Sequence, residues 1–185
     1  MSRHSARPVW LEAVGTFDAR VDDLMEPLRG NPRIDTAAKV ITGLGDHGLM
    51  WAAITLVRAR RKGPERARAV KALGIAGVSS SLVNAGLKSV IGRNRPDTTD
   101  LKITEGGIPV RPPKTSSFPS GHTLAAFTAA TVLSESSDAV GTALLFTSAG
   151  LVGLSRIHLR AHHASDVLGG AAIGLTLGAI GRRFV

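Results

Sequence analysis

Apolar side chains recur along residues 8–28 at three- and four-residue intervals, from Val9 and Trp10 through Ala13, Phe17 and Val21 to Leu24 and Leu28. That period predicts an amphipathic helix opened by Pro8, with Glu12, Asp18, Asp22 and Glu26 on its other face. So many charges prevent it from spanning a bilayer; it lies at a membrane interface or packs on the rest of the protein. Beyond it, five runs lack Asp, Glu, Lys and Arg: 40–57 (interrupted only by Asp46), 72–87, 115–134, 139–155 and 167–181. Each is roughly 15–20 residues, close to the ~20 that cross the hydrocarbon, and run 115–134 opens with a polar turn before its helix. Arg182 and Arg183 can snorkel to lengthen the last run. The pattern predicts an all-α, polytopic membrane helical bundle of about five spanning helices plus the N-terminal amphipathic helix. It divides into an interfacial segment 1–39 and a transmembrane domain 40–185. A soluble five-helix bundle is the competing arrangement.

Composition supports the membrane reading. The 185 residues are 43% hydrophobic but only 4% aromatic, and they include 21 glycines. Small residues let helix backbones approach closely where lipid replaces water. With no cysteine in the chain, disulfides, thiolate catalysis and Cys-ligated zinc are excluded. The formal charge of +9 fits nucleic acid, anionic lipid or an anionic substrate. The basic residues form neither a single stripe nor an aromatic-interleaved surface, so nucleic acid is not expected as a partner. Arg3 and Arg7 are not followed by an apolar stretch and a cleavage site, so no cleavable signal peptide is expected. Residues 58–71 form a dense basic connector. Residues 96–120, with five prolines, form a long loop of the kind that carries function, and headgroup choice is expected within 97–118.

Three clusters carry chemistry. Lys88 and Arg95 stand seven apart, on one face if the stretch is helical, with Pro96 turning the chain out of the helix. Taken alone, that pair reads as headgroup snorkelling. In Phe118-Pro119-Ser120-Gly121-His122, Ser120 is placed as an N-cap and Gly121 lets a backbone N–H approach an anion. His122 follows at the mouth of that site. Ser155-Arg156 precedes His158, His162, His163 and Asp166; a carboxylate four residues after His162 can orient its ring. The same spacing lets His158, His162 and Asp166 face one metal ion. Taken together, Lys88, Arg95 and Arg156 surround a phosphate dianion better than they tolerate a cation, and the nucleophile reading prevails with no metal and no cofactor.

These motifs resemble the type 2 phosphatidic acid phosphatase family, which shares its site with vanadium haloperoxidases. The family pattern Lys-x6-Arg-Pro, Pro-Ser-Gly-His and Ser-Arg-x5-His-x3-Asp is present at Lys88–Pro96, Pro119–His122 and Ser155–Asp166. The resemblance implies that Lys88, Arg95, Arg156, Ser120 and the Gly121 backbone bind phosphate. It implies that His162 attacks phosphorus, Asp166 holds and polarises it, and His122 serves as acid and then base. His158 and His163 are then bystanders or headgroup contacts. The short, membrane-like chain sets it apart from the haloperoxidase branch. The expected activity is a metal-independent phosphatase acting on a lipid phosphate in the bilayer. Polyprenyl diphosphate, phosphatidylglycerophosphate, phosphatidic acid and a prenyl-phosphoryl sugar phosphate are the substrates it suggests. A phosphotransferase using the same phosphohistidine and a non-catalytic lipid-phosphate binder are the alternatives.

Alternate connectors of a five-span chain bring the three clusters to one side of the cell membrane, opposite the basic stretch 58–71. Short basic loops favour the cytoplasm, which assigns the site to the extracytoplasmic face. The totals oppose this, with 14 of 23 Lys and Arg on the site side. The short loop is weighted more heavily.

Overall fold

The computed structural model describes residues 8–45, 48–60, 64–98 and 115–184, and every regular element among them is helical. Helix α1 is Val9–Met25, extended by a 3-10 turn at Glu26–Leu28. It is followed by α2 (Pro32–Gly45), α3 (Leu49–Ala59) and α4 (Pro64–Val90). Helices α5 (Gly121–Ser134), α6 (Ala139–His158) and α7 (Ala164–Gly181) complete the chain, closed by a 3-10 turn at Arg182–Phe184.

The short helix α5 is the axis of the bundle and packs against α4, α6 and α7. Its closest partner is α7, and small residues set that distance. A Cβ on Gly170 would lie 2.6 Å from Ser120 O, one on Gly174 2.5 Å from Leu124 O, and one on Gly178 2.5 Å from Thr131 Cβ. Glycine at every fourth position of α7 therefore lets the two backbones touch, as lipid-embedded helices require. At the far end of α5, Arg58 Nη1 donates to Leu133 O (2.8 Å) and Arg182 Nε to Thr131 O (2.8 Å). Two cations there satisfy carbonyls that the helix end leaves open. Between these layers, Trp51, Ala72, Ala76, Leu133, Leu145 and Val152 form the main core.

All five apolar runs fall on helices, with differences from the expected spans. Among the described residues, two segments are individually long and apolar enough to cross a bilayer: Ala139–His158 (20 residues) and Ala164–Phe184 (21 residues). At about 1.5 Å per residue each reaches ~30 Å. Run 40–57 is divided between the end of α2 and α3, which would make a further span only as a broken pair. Run 72–87 lies inside α4, which begins in the basic stretch, so only residues 60–63 separate α3 from α4. Run 115–134 yields a 14-residue α5, about 21 Å long and shorter than the hydrocarbon. Helix α2 also carries the chain straight through residues 39–40, where the N-terminal segment was expected to end.

Helix α1 forms where expected, but its polar face is the one that packs. Asp18 is buried, while Val9, Trp10, Leu24 and Leu28 are exposed. Arg29, fully buried at its side chain, bonds Asp22 (2.5 Å) and Glu26 (2.8 Å) and also reaches His158 O and Ile157 O. Arg160 joins the same two carboxylates at 2.7 and 3.3 Å. The acidic residues Asp18, Asp22 and Glu26 thus dock α1 onto cations of the bundle, Val21 and Met25 pack against Ile157, Ala164 and Val167, and most of the remaining large apolar side chains of α1 are turned outward.

Candidate active site

Helix α4 stops at Val90, so Lys88 and Arg95 do not share a helical face, as their spacing alone implies. Residues 91–98 run without regular structure and are pinned from the other side of the loop. Ser117 N donates to Arg93 O (2.9 Å), Ser117 Oγ to Asn94 O (2.9 Å) and Ser116 Oγ to Ile91 O (2.6 Å). The cations nevertheless converge. Burial, with Arg95 and Arg156 close by, pushes Lys88 down to about 8 against the opposing pull of Asp166. Burial also lowers Arg95. Arg156, at the end of α6, is buried. Arg95 and Arg156 both oppose the charge on Lys88, and three cations gathered in this way mark a place prepared for an anion.

His162 stands in the turn between α6 and α7. Ala161 N and His162 N both donate to Arg156 O, at 3.0 and 3.2 Å, and Arg160 takes a left-handed φ of 48°. This turn breaks the helical spacing from His158 onward. His158 instead pairs with Asp35 of α2 at 2.8 Å, both buried. The single-ion alternative built on His158, His162 and Asp166 is therefore not assembled, and no three His, Asp or Glu side chains converge for a metal among the described residues.

Nor is the step from His162 to Asp166 helical, since α7 begins at Ala164. Asp166 Oδ2 still comes to 3.8 Å from His162 Nδ1, within ion-pair range but longer than a hydrogen bond. The same oxygen accepts from His163 N at 2.8 Å. On the other side of the ring, Arg95 Nη1 lies 3.3 Å from His162 Nε2 and also donates to Ala161 O at 2.5 Å. A guanidinium only donates, so Nε2 is the acceptor and the ring proton sits on Nδ1, facing Asp166. Burial pushes the imidazole down to about 4; Arg95 and Arg156 add to this, and Asp166 opposes it. His162 is therefore a neutral ring with its lone pair toward the cations.

Ser120 sits at the N-cap position of α5, but its side chain does not cap the helix. It is fully buried; its Oγ accepts from Thr123 Oγ1 (2.9 Å) and its N–H donates to Asp166 O (3.0 Å). The Pro-Ser-Gly-His turn is thereby tied to α7, and Gly121 and His122 begin α5 beside it. His122 lies next to Gly45 of α2, its Cδ2 3.6 Å from where a Cβ there would stand. The headgroup loop anticipated at 97–118 falls largely on residues 99–114, outside the described residues.

The sequence reading missed Arg93 and gave Asp18 no role at the site. Arg93 Nη1 bonds Asp166 Oδ1 (2.7 Å) and Ser165 Oγ (2.7 Å), while Nη2 bonds Asp18 Oδ2 (2.6 Å). A second arginine two residues before Arg95, and acids every fourth residue on α1 of a strongly basic chain, were the available signals. A cavity of about 350 Å³ lies on the α1 side of His162, lined by Asp18, Asp22, Arg93, Asp97, Arg160 and His163 among others. His162 itself lines this cavity, while Lys88, Arg95 and Arg156 are not in its wall.

The family model described as the PAP2 superfamily matches residues 69–185. A decaprenylphosphoryl-5-phosphoribose phosphatase of Mycobacterium tuberculosis is 30% identical over 149 residues, 80% of this chain and 79% of that protein. A lipid A 1-phosphatase of Porphyromonas gingivalis is 40% identical over 113 residues, 60% of this chain but only 22% of that protein. Among solved structures, LpxE of Aquifex aeolicus superposes with a TM-score of 0.72 at 28% identity, covering 89% of this chain and 94% of that one. A transmembrane PAP2-type phosphatidylglycerolphosphate phosphatase of Bacillus subtilis gives 0.72 at 27% identity, covering 93% and 86%.

Proposed function

The chain belongs to the PAP2 superfamily and is a phosphatase, and from that premise we propose that it hydrolyses a membrane lipid phosphate through a phosphohistidine on His162. The observation that carries this reading is the polarity of the His162 ring: proton toward Asp166, lone pair at Nε2 toward Arg95. In the first step Nε2 attacks phosphorus and the bond to the lipid oxygen breaks, with His122 delivering a proton to that oxygen. Lys88, Arg95 and Arg156, with Ser120 and the Gly121 and His122 N–H groups at the start of α5, hold the phosphoryl oxygens in the five-coordinate transition state. Asp166 stabilises the positive ring that results. In the second step His122 takes a proton from water, its oxygen attacks phosphorus, the P–N bond breaks and inorganic phosphate leaves. No step calls on a metal.

The protein lies in the membrane, and in this reading it crosses several times with the site at the extracytoplasmic face. The relative matched along most of its length acts on a decaprenylphosphoryl-5-phosphoribose, which favours a prenyl-phosphoryl sugar phosphate over the other lipid phosphates as substrate. The test is phosphate release by the purified protein in excess chelator from that lipid, a polyprenyl diphosphate, phosphatidic acid and phosphatidylglycerophosphate, with His162→Ala as blank. Release that vanishes in the blank, fastest from the sugar phosphate, is expected. Dependence on an added divalent ion, or equal release by the blank, overturns the mechanism.

A further inference from the structure

We propose that Asp18 of α1 and Arg93 are positioning residues for the reacting imidazole, setting the orientation and effective charge of the Asp166 carboxylate behind it. The inference rests on the reading that His162 is the nucleophile. It starts from a line of alternating charge: Asp18, Arg93 (2.6 Å), Asp166 (2.7 Å) and the His162 ring (3.8 Å). Asp18 is fixed in turn by Ser165, whose N and Oγ donate to its two oxygens at 2.8 Å each. Both carboxylates are buried.

The charge sequence decides what each member does. Asp166 must carry negative charge when the ring becomes positive on bonding phosphorus. Arg93 alone would cancel that charge, because its Nη1 binds Asp166 Oδ1 directly. Asp18 takes the second arm of the same guanidinium, so Asp18, Arg93 and Asp166 together present one net negative charge to the ring. Arg93 in turn holds Oδ1 while His163 N holds Oδ2, which fixes the plane of the carboxylate. Outer partners of metal-bound histidines typically change activity by about 10- to 100-fold, and an effect of the same order is expected where the histidine bonds phosphorus instead. Asp18 lies outside the residues 69–185 that match the family model, so the N-terminal helix completes a site whose other parts the family motifs supply.

The groups facing His162 are Asp166 on α7, Arg95 from the 91–98 segment and Arg156 on α6. Changing one charge behind Asp166 therefore has a defined sign. Asp18→Asn leaves Arg93 uncompensated, disfavours the protonated ring and moves the acid limb of kcat/KM to lower pH. Arg93→Gln leaves two carboxylates behind the ring and moves that limb to higher pH. The double variant returns it toward the parent. Asp22→Asn, which removes ion pairs that dock α1 through Arg29 and Arg160 but does not touch this line, is the control.

The experiment measures kcat, KM and pH profiles of the full chain in one detergent on one lipid phosphate, with Asp18→Glu as a variant that keeps the charge. Expected are a kcat about tenfold or more lower in Asp18→Asn, with KM changed less, partial recovery in Asp18→Glu, opposed limb shifts, and a parent-like Asp22→Asn. Limbs that stay fixed or move together, or an Asp22→Asn variant as impaired as Asp18→Asn, would reduce Asp18 to a docking contact and overturn the proposal. His162→Ala run alongside separates the two readings: turnover in that variant defeats the nucleophile assignment itself, whatever the other variants do.

Discussion

Replacing Gly174 with alanine adds one methyl group where α7 comes nearest to α5, and the geometry sets the size of the effect. The new Cβ would lie 2.5 Å from Leu124 O and 3.0 Å from Phe127 Cβ, whereas ordinary contact begins at 3.4 Å. The carbonyl is backbone in the central helix, so the helices must part by up to about 0.9 Å, the shortfall from ordinary contact. Overpacking of this kind costs about 1–3 kcal/mol. The control is Gly74→Ala in α4, where nothing lies within 4 Å of the added methyl. Both substitutions share the same gain of about 1 kcal/mol in helix propensity, so their difference isolates the α5–α7 contact. At about 3 °C per kcal/mol for a chain of this size, Gly174→Ala should melt roughly 3–9 °C below Gly74→Ala. The activity consequence follows from the same displacement. Asp166 rides on α7 and is tied to Ser120 at the head of α5. Misplacements near 1 Å cost about 100-fold in rate, so at least a tenfold loss of kcat is expected for Gly174→Ala and none for Gly74→Ala. Thermal unfolding and phosphate release in the same detergent make the comparison. Equal melting temperatures and equal turnover would refute the close α5–α7 packing.

Three further outcomes follow from single features. Because burial holds His162 near 4 rather than its ordinary 6.5, its ring is neutral and nucleophilic across pH 5–8 and protonates only below. An NMR titration of its Cε1 proton, assigned with His162→Gln, should show a midpoint near 4; a midpoint at 6.5 contradicts the buried site. Arg160 holds a left-handed φ of 48° while pairing with Asp22 and Glu26. Arg160→Gly and Arg160→Ala lose the same ion pairs, but only glycine relieves the backbone, so the glycine variant should be the more stable by about 1 kcal/mol in thermal or chemical unfolding. The chain has no cysteine, so Arg60→Cys is a single label at the end opposite the site. Intact cells should leave it unmodified by an impermeant maleimide; rapid labelling would move the active site to the cytoplasmic face.

Much of this arrangement was legible because its signals are local. Apolar periodicity marked α1, the uncharged runs marked the bundle helices, and the motifs brought Lys88, Arg95, Arg156, Ser120, His162 and Asp166 to one end. The spacing rules failed where the chain leaves a helix. Arg95 reaches His162 from a segment without regular structure, and Asp166 approaches the ring through the turn into α7. Tertiary pairing was also hidden. Periodicity does not show which face of α1 packs; that is decided by Arg93 and Arg160, distant in sequence, and by nearby Arg29, which pair with its acidic residues. His158, equally placed by spacing to bind a metal, is claimed by Asp35 from α2. The shortness of α5 follows from the polar turn that opens its uncharged run, a signal the sequence carries.

The most direct test of the central claim is to trap the phosphoenzyme. His122→Ala should still transfer phosphoryl groups from a lipid diphosphate, whose leaving group needs little acid assistance, but should activate water slowly. Rapid quenching into base, followed by peptide mass spectrometry, should then find one phosphoryl group on His162. The adduct should be stable in alkali, lost in acid, and absent from His122→Ala/His162→Ala. A phosphoryl group on another residue, or turnover with no protein-bound phosphate under conditions that preserve phosphohistidine, would contradict the account.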